Sequence, residues 1–115
     1  MDPVVQAELL KGHLEGLVLA VLADEPLHGY AVMEKLKSRS EDAISIEGGT
    51  LYPLLHRIEE AGLVKSSWST IHGRKRRTYA LTAKGRRALE EKRSVWKDFV
   101  TSMSLVMNKS ARTSR

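Results

Sequence analysis

The stretch Glu47-Gly48-Gly49-Thr50-Leu51-Tyr52-Pro53-Leu54-Leu55-His56-Arg57-Ile58-Glu59-Glu60-Ala61-Gly62 decides how the chain is read. Leu51, Leu54, Leu55, Ile58 and Ala61 recur at helical spacing, and Gly62 stands where a left-handed residue ends a helix. Pro53 has to lie near the first turn, where a missing N–H costs least. Thr50, Tyr52, Pro53, His56 and Arg57 fall on the faces that the leucines leave free. A helix of this kind buries one side and offers the other to a partner.

On its C-terminal side Leu63 to Ser69 alternates as a strand, and Arg77 to Thr82 does the same through Tyr79 and Leu81. Between them Thr70-Ile71-His72-Gly73-Arg74-Lys75-Arg76 reads as a glycine-containing turn loaded with bases. Upstream, Ala31, Val32, Met33 and Leu36 predict a short helix that ends in Ser38-Arg39-Ser40-Glu41-Asp42, with Leu27 to Gly29 as a turn before it. Asp2-Pro3 is a favourable helix opening, and Leu10, Leu14, Leu17, Val18, Val21 and Leu22 carry one buried helix on to Asp24-Glu25-Pro26, with Gly12 marking a bend. Downstream, Thr82 caps a last long helix whose apolar positions are Leu89, Trp96, Phe99, Val100, Met103, Val106 and Met107. Residues 109–115 are polar and expected to fray.

The resulting fold class is mainly α with a small β-hairpin: three helices, a two-stranded ribbon and one long helix, the order of a winged helix-turn-helix. Residues 1–82 form the winged unit and residues 83–108 a C-terminal dimerisation helix.

Charge follows the same division. The chain of 115 residues has a formal net charge of +5, but Met1 to Val64 is acidic. Lys65, Arg74, Lys75, Arg76, Arg77, Lys84, Arg86, Arg87, Lys92 and Arg93 then face only Glu90 and Glu91. Positive charge gathered in one part of a small domain is the footprint of a polyanion partner.

Composition removes other classes. With no cysteine, thiolate metal sites and disulfides are excluded, and a reducing, cytoplasmic setting fits. No apolar run reaches the ~18 residues of a membrane span, so neither a membrane anchor nor a membrane partner is expected. His13, His28, His56 and His72 never take metal-ligand spacing, and Gly48-Gly49-Thr50 lacks the lysine of a phosphate loop, so no metal or cofactor is expected. Glu59-Glu60 and Glu90-Glu91 are neighbours that point about 100° apart on a helix, which is wrong for paired acid–base catalysis. The chain does not read as an enzyme.

The winged reading supplies its own chemistry. A helix fits the major groove, where its N-terminal residues reach base edges and phosphates. Thr50 brings a hydroxyl and a methyl, Tyr52 a hydroxyl on a flat ring, and His56 and Arg57 bring donors one turn later. Tyr52 and Pro53 also suit plain packing at a helix entrance. Arg74, Lys75 and Arg76 suit phosphates or a minor groove. Tyr30, just after the turn into the second helix, suits either a phosphate contact or packing under the ribbon.

On the last helix Leu89, Trp96 and Met103 are seven apart, with Phe99, Val100 and Val106 between them. Such a stripe asks for a second copy of the chain, joined through this helix and through Leu10 and Leu14 of the first, and a two-fold dimer reads a two-fold site on double-stranded DNA. Trp96 serves that interface or forms the flat wall of a cavity for a small planar effector. The competing reading is a dimeric winged-helix protein-interaction module without specific DNA binding.

Leu27-His28-Gly29-Tyr30, the run from Glu47 to Val64 and the run from Gly73 to Gly85, with its Leu81-Thr82-Ala83-Lys84-Gly85, resemble the PadR family of bacterial transcriptional regulators over about residues 9 to 107. The Gly49-Thr50-Leu51-Tyr52-Pro53 string is the more specific; the Leu-Thr-Ala-Lys-Gly string also occurs in MarR-like regulators. The resemblance implies a homodimeric winged-helix repressor, with the helix containing Thr50, Tyr52 and Pro53 as recognition helix, released from DNA by a ligand or a partner. The single C-terminal helix is similar to the smaller subfamily, in which it crosses the partner's first helix. Some relatives carry a tryptophan where Trp96 lies, facing an intersubunit pocket for planar ligands. Glu47-Gly48 departs from the family's usual serine or asparagine cap.

Overall fold

The computed structural model describes residues 7–108. The helix opening expected at Asp2-Pro3 and the frayed tail lie outside them. The described elements are α1 (Ala7–Lys11), α2 (Leu14–Leu22), β1 (Leu27–His28), α3 (Gly29–Arg39), α4 (Gly48–Glu60), β2 (Val64–Ile71), β3 (Arg74–Leu81) and α5 (Ala83–Met107). The fold is mainly helical with a small antiparallel sheet, a winged helix-turn-helix followed by a long helix.

The expected single first helix is two, broken at Gly12-His13, where the N–H of His13 bonds the Leu10 carbonyl at 2.9 Å. The glycine read as a bend therefore ends a helix. Leu27-His28, read as a turn, is a third strand: it pairs with β3 through Leu27↔Tyr79 and His28↔Thr78, giving the sheet order β1-β3-β2. Two residues are too few to show alternation, and β1 exists because β3 offers it an edge.

The ribbon is longer than expected. Its turn is only His72-Gly73, both with positive φ (52° and 75°), the two-residue hairpin geometry whose twist matches the strands. Arg74, Lys75 and Arg76 consequently stand on β3, paired with Ile71, Thr70 and Ser69, and not in a flexible loop.

Leu14, Val18, Leu19, Val21 and Leu22 of α2, Val32 and Leu36 of α3, and Leu51, Leu54, Leu55 and Ile58 of α4 form one core with Val64, Tyr79, Leu81 and Leu89. Each fully buried leucine contributes about 2–3 kcal/mol of transfer free energy. Leu14 and Leu89, assigned from the sequence to a dimer interface, are 7% and 3% exposed within this one chain. They are core residues, because the first turns of α5 pack back on the body. Leu10 is half-buried against the same core.

Beyond Leu89 the picture changes. Every residue from Glu90 to Met107 is exposed; Lys92 and Trp96 still lie against Glu15 and His13, and beyond Trp96 α5 projects about 16 Å at 1.5 Å per residue. The projection stretches the radius of gyration to 16.8 Å, against the roughly 13 Å of a compact chain this long.

The root of α5 is tied to the end of α4. Gly62 (φ 80°) ends α4 in the left-handed conformation, as its position in the sequence requires. The Thr82 hydroxyl donates to the Gly62 carbonyl (2.6 Å) and accepts from the Gly85 N–H (3.0 Å), while Lys84 Nζ donates to the Ala61 carbonyl (2.9 Å). The Thr82 N–H donates to the Leu63 carbonyl at 3.1 Å. Farther along, Lys92 pairs with Glu15 at 3.3 Å, and its stem lies over Gly16 of α2.

Candidate nucleic-acid interface

Helix α4 presents the residues its sequence pattern left over. Leu51, Leu54, Leu55 and Ile58 are buried, whereas Thr50, Tyr52, Pro53, His56 and Arg57 are all exposed. Pro53 is in the second turn rather than the first, so the Gly49 carbonyl lacks its usual N–H four residues on. Glu47 occupies the N-cap position in extended conformation, and its side chain makes no capping hydrogen bond. The opening N–H groups of α4 thus keep their capacity for an anion, where the helix dipole favours one.

Tyr52 does two things. Its ring lies over Gly29 and Gly48: a Cβ built on Gly29 would come 2.5 Å from the ring edge and 2.6 Å from the hydroxyl, and one on Gly48 would come 3.2 Å from the ring. Tyr52 nevertheless stays 47% exposed. The packing and contact roles weighed for it are compatible, because one edge of the ring seats the start of α3 and the other faces outward. Tyr30 follows Gly29 and is 53% exposed, so the N-termini of α3 and α4 bring two tyrosines to one side of the molecule. His28 caps α3, its Nδ1 accepting from the Ala31 N–H at 3.3 Å. His56 lies 3.5 Å from Glu60 on the same exposed face.

Strand alternation divides the bases of the ribbon. Arg74 and Arg76 share a face with Ser69 and Thr78, whose hydroxyls are 2.7 Å apart. Lys75 and Arg77 share the other with Trp68 and Ser66. Arg74, Lys75 and Arg77 are exposed and Arg76 is half-buried. The sequence reading missed Trp68, Ser66 and Glu59: Arg77 lies over the Trp68 ring at 5.4 Å, and its Nε bonds Ser66, which bonds Glu59 of α4. Only the cross-strand register Trp68↔Arg77 would have found this set.

Of the residues assigned to a dimer interface, Trp96, Phe99, Val100, Met103 and Val106 are exposed on α5. Trp96 meets His13 edge-on at 5.2 Å and Phe99 at 5.8 Å. Among the described residues, no helix is long and apolar enough to cross a membrane, and no three histidine or carboxylate side chains cluster as metal ligands.

Residues 18–91 match the family described as transcriptional regulator PadR-like. Transcriptional regulator Rv3488 of Mycobacterium tuberculosis is 41% identical over 76 residues, covering 66% of this chain and 68% of that protein. The crystal structure of a PadR family transcriptional regulator from Eggerthella lenta is 35% identical, with a TM-score of 0.77 over 90% of this chain and 88% of that one. A PadR-like transcriptional regulator from Bacillus cereus is 30% identical, with a TM-score of 0.80 over 90% and 100% of the two chains. The chain therefore belongs to the PadR-like family, whose members are transcriptional regulators and not enzymes, and it is a DNA-binding transcription regulator.

Proposed function

We propose that the protein is a homodimeric repressor that binds a two-fold operator on double-stranded DNA and is released by a small planar ligand or a partner. The observation that carries this reading is the projecting half of α5, where Trp96, Phe99, Val100, Met103 and Val106 lie 40–81% exposed along one helix. A stripe of that size is stable in water only when covered, and a second copy covers it with the fewest assumptions. Residues 1–82 are the reading head and residues 83–108 the dimerisation helix, with the root of that helix built into the head as far as Leu89.

In the head, Thr50, Tyr52, Pro53, His56 and Arg57 enter the major groove, and Tyr30, Arg74, Lys75 and Arg76 hold backbone phosphates. Two heads related by a two-fold axis read half-sites one helical turn apart. The dimer occupies the operator and blocks transcription from it, including that of its own gene. The half-exposed Trp96 ring, bracketed by His13 and Phe99, supplies the aromatic wall for a planar effector.

Selection of bound duplexes from a random pool tests the reading. A two-fold consensus is expected, together with a footprint over it and a dimer mass in sedimentation. Arg74→Ala and Lys75→Ala should weaken all sequences alike, whereas Thr50→Ala should relax discrimination. A dimer that protects no DNA would leave the protein-interaction module in place of the repressor. Titration with planar aromatic compounds should change the tryptophan emission, and an unchanged spectrum across a broad panel would remove the effector role.

A further inference from the structure

Arg77 is held differently from the three bases before it. Its Nε donates to Ser66 Oγ at 2.9 Å, and Ser66 Oγ donates to Glu59 Oε2 at 2.6 Å. The guanidinium carbon stands 5.4 Å from the centre of the Trp68 ring, and Trp68 is 63% exposed. Among the described residues no carboxylate lies within ion-pair distance of Arg77, so its terminal nitrogens keep their donors. The result is a cation fixed at three points, by a strand, a hydroxyl and an aromatic face, with its charge turned outward.

We propose that Arg77 and Trp68 form a subsite for a DNA backbone phosphate at the base of the ribbon, with Ser66 and Glu59 as positioning residues. The proposal rests on α4 entering the major groove. Ser66 touches α4 through Glu59, so the ribbon face that carries Ser66, Trp68 and Arg77 is turned toward that helix. A duplex held by α4 brings the phosphates flanking its major groove to this face. Arginine binds phosphate through a planar fork, and here the Nε bond fixes the fork before DNA arrives. Ordering a long side chain on binding otherwise costs affinity. Trp68 carries the guanidinium on its face and leaves an apolar edge for the adjoining deoxyribose. Arg74 and Arg76, on the opposite face, have no such support.

The experiment measures affinity against salt for two duplexes of equal length, one carrying the site selected by this protein and one of random sequence. Arg77→Gln keeps an N–H for Ser66 and removes the charge. It should weaken both duplexes and reduce the salt slope by about 1.8, one contact from each subunit of the proposed dimer, so that wild-type affinity falls about 12-fold more than the variant's between 50 and 200 mM salt. Arg77→Lys keeps the charge and gives up the Nε bond, so it should retain the slope at lower affinity. Ser66→Ala, which changes no charge, should cost about threefold per subunit, about ninefold for the dimer, on both duplexes with the slope intact, and Ser66→Thr should restore it. Trp68→Ala should behave as Ser66→Ala does. If Arg77→Gln keeps the wild-type slope while Arg74→Gln and Lys75→Gln each lower it, the subsite is overturned and DNA recognition by α4 stands. If the wild-type chain binds neither duplex, the subsite falls together with the DNA reading.

Discussion

Replacing Gly85 by alanine should destabilise the protein even though it improves a helix. Gly85 lies in the first turn of α5, and a Cβ there would overlap the Leu63 backbone carbonyl and come 3.1 Å from Leu81 Cδ2. The obstacle is main chain, which cannot swing aside, so α5 must retreat from the end of α4. Retreat stretches the Thr82 hydroxyl bond to Gly62, the Thr82 N–H bond to Leu63 and the Lys84 bond to Ala61. Overpacking typically costs about 1–3 kcal/mol, and the three weakened hydrogen bonds together add about 2 kcal/mol. The better helix propensity of alanine returns about 1 kcal/mol. The net is a loss of about 2–4 kcal/mol, or a fall of roughly 8–16 °C in melting temperature for a domain this size. Thermal unfolding by circular dichroism at one fixed concentration measures it, because association would otherwise move the midpoint. Gly49→Ala is the internal comparison: it too is helical, a Cβ there would meet nothing within 4 Å, and it should gain up to about 1 kcal/mol. Equal or raised melting temperatures for both variants would refute the claim that α5 is seated on the end of α4.

Three further outcomes follow from the same geometry. Gly29→Ala meets only the far end of the Tyr52 side chain, so it should cost under about 1 kcal/mol of stability while displacing that ring; competition binding should show discrimination between operator and random DNA falling as it does in Tyr52→Ala. In the turn between α3 and α4, Glu41 and Asp42 take φ of 54° and 70°, and Asp42→Gly should raise stability in urea unfolding by about 0.5–1 kcal/mol. Burial pushes the Tyr79 phenol above its ordinary 10.0, although the Arg77 charge works against this. The folded state therefore holds that proton more tightly than the unfolded one. The associated stability is complete below pH 10 and lost as pH rises beyond it, so Tyr79→Phe should flatten the alkaline fall in melting temperature.

Much of this was legible in the chain itself, for identifiable reasons. Helix α4 announced its buried and exposed faces because its apolar spacing is regular and Gly62 stands where the backbone turns left-handed. The ribbon was legible as a pair of strands but not in its length, since four consecutive bases suggest a loop and only His72-Gly73 needs positive φ. Strand β1 was invisible because its two residues owe their conformation to β3. Leu89 was misplaced because a seven-residue spacing runs without interruption from core into solvent along α5, and spacing cannot tell where the core stops; Leu14 was misplaced because the apolar stripe of α2 does not say which neighbour covers it. Trp68, Ser66 and Glu59 come together only through register and tertiary contact, which no linear pattern records.

The unbroken course of α5 also has a geometrical consequence. It is a stiff rod whose near end is fixed to the end of α4 through Thr82, Lys84 and Gly85. Its 25 residues span about 37 Å. Over that length a tilt of about 5° displaces one end by about 3 Å relative to the other, close to the rise of one base pair. In the proposed pair of chains, the crossing angle of two such rods sets the distance between the reading heads. A small wedge or a single enlarged side chain near Trp96 would then act as a ruler adjustment, moving the heads out of step with the helical repeat of DNA without altering any residue that touches it.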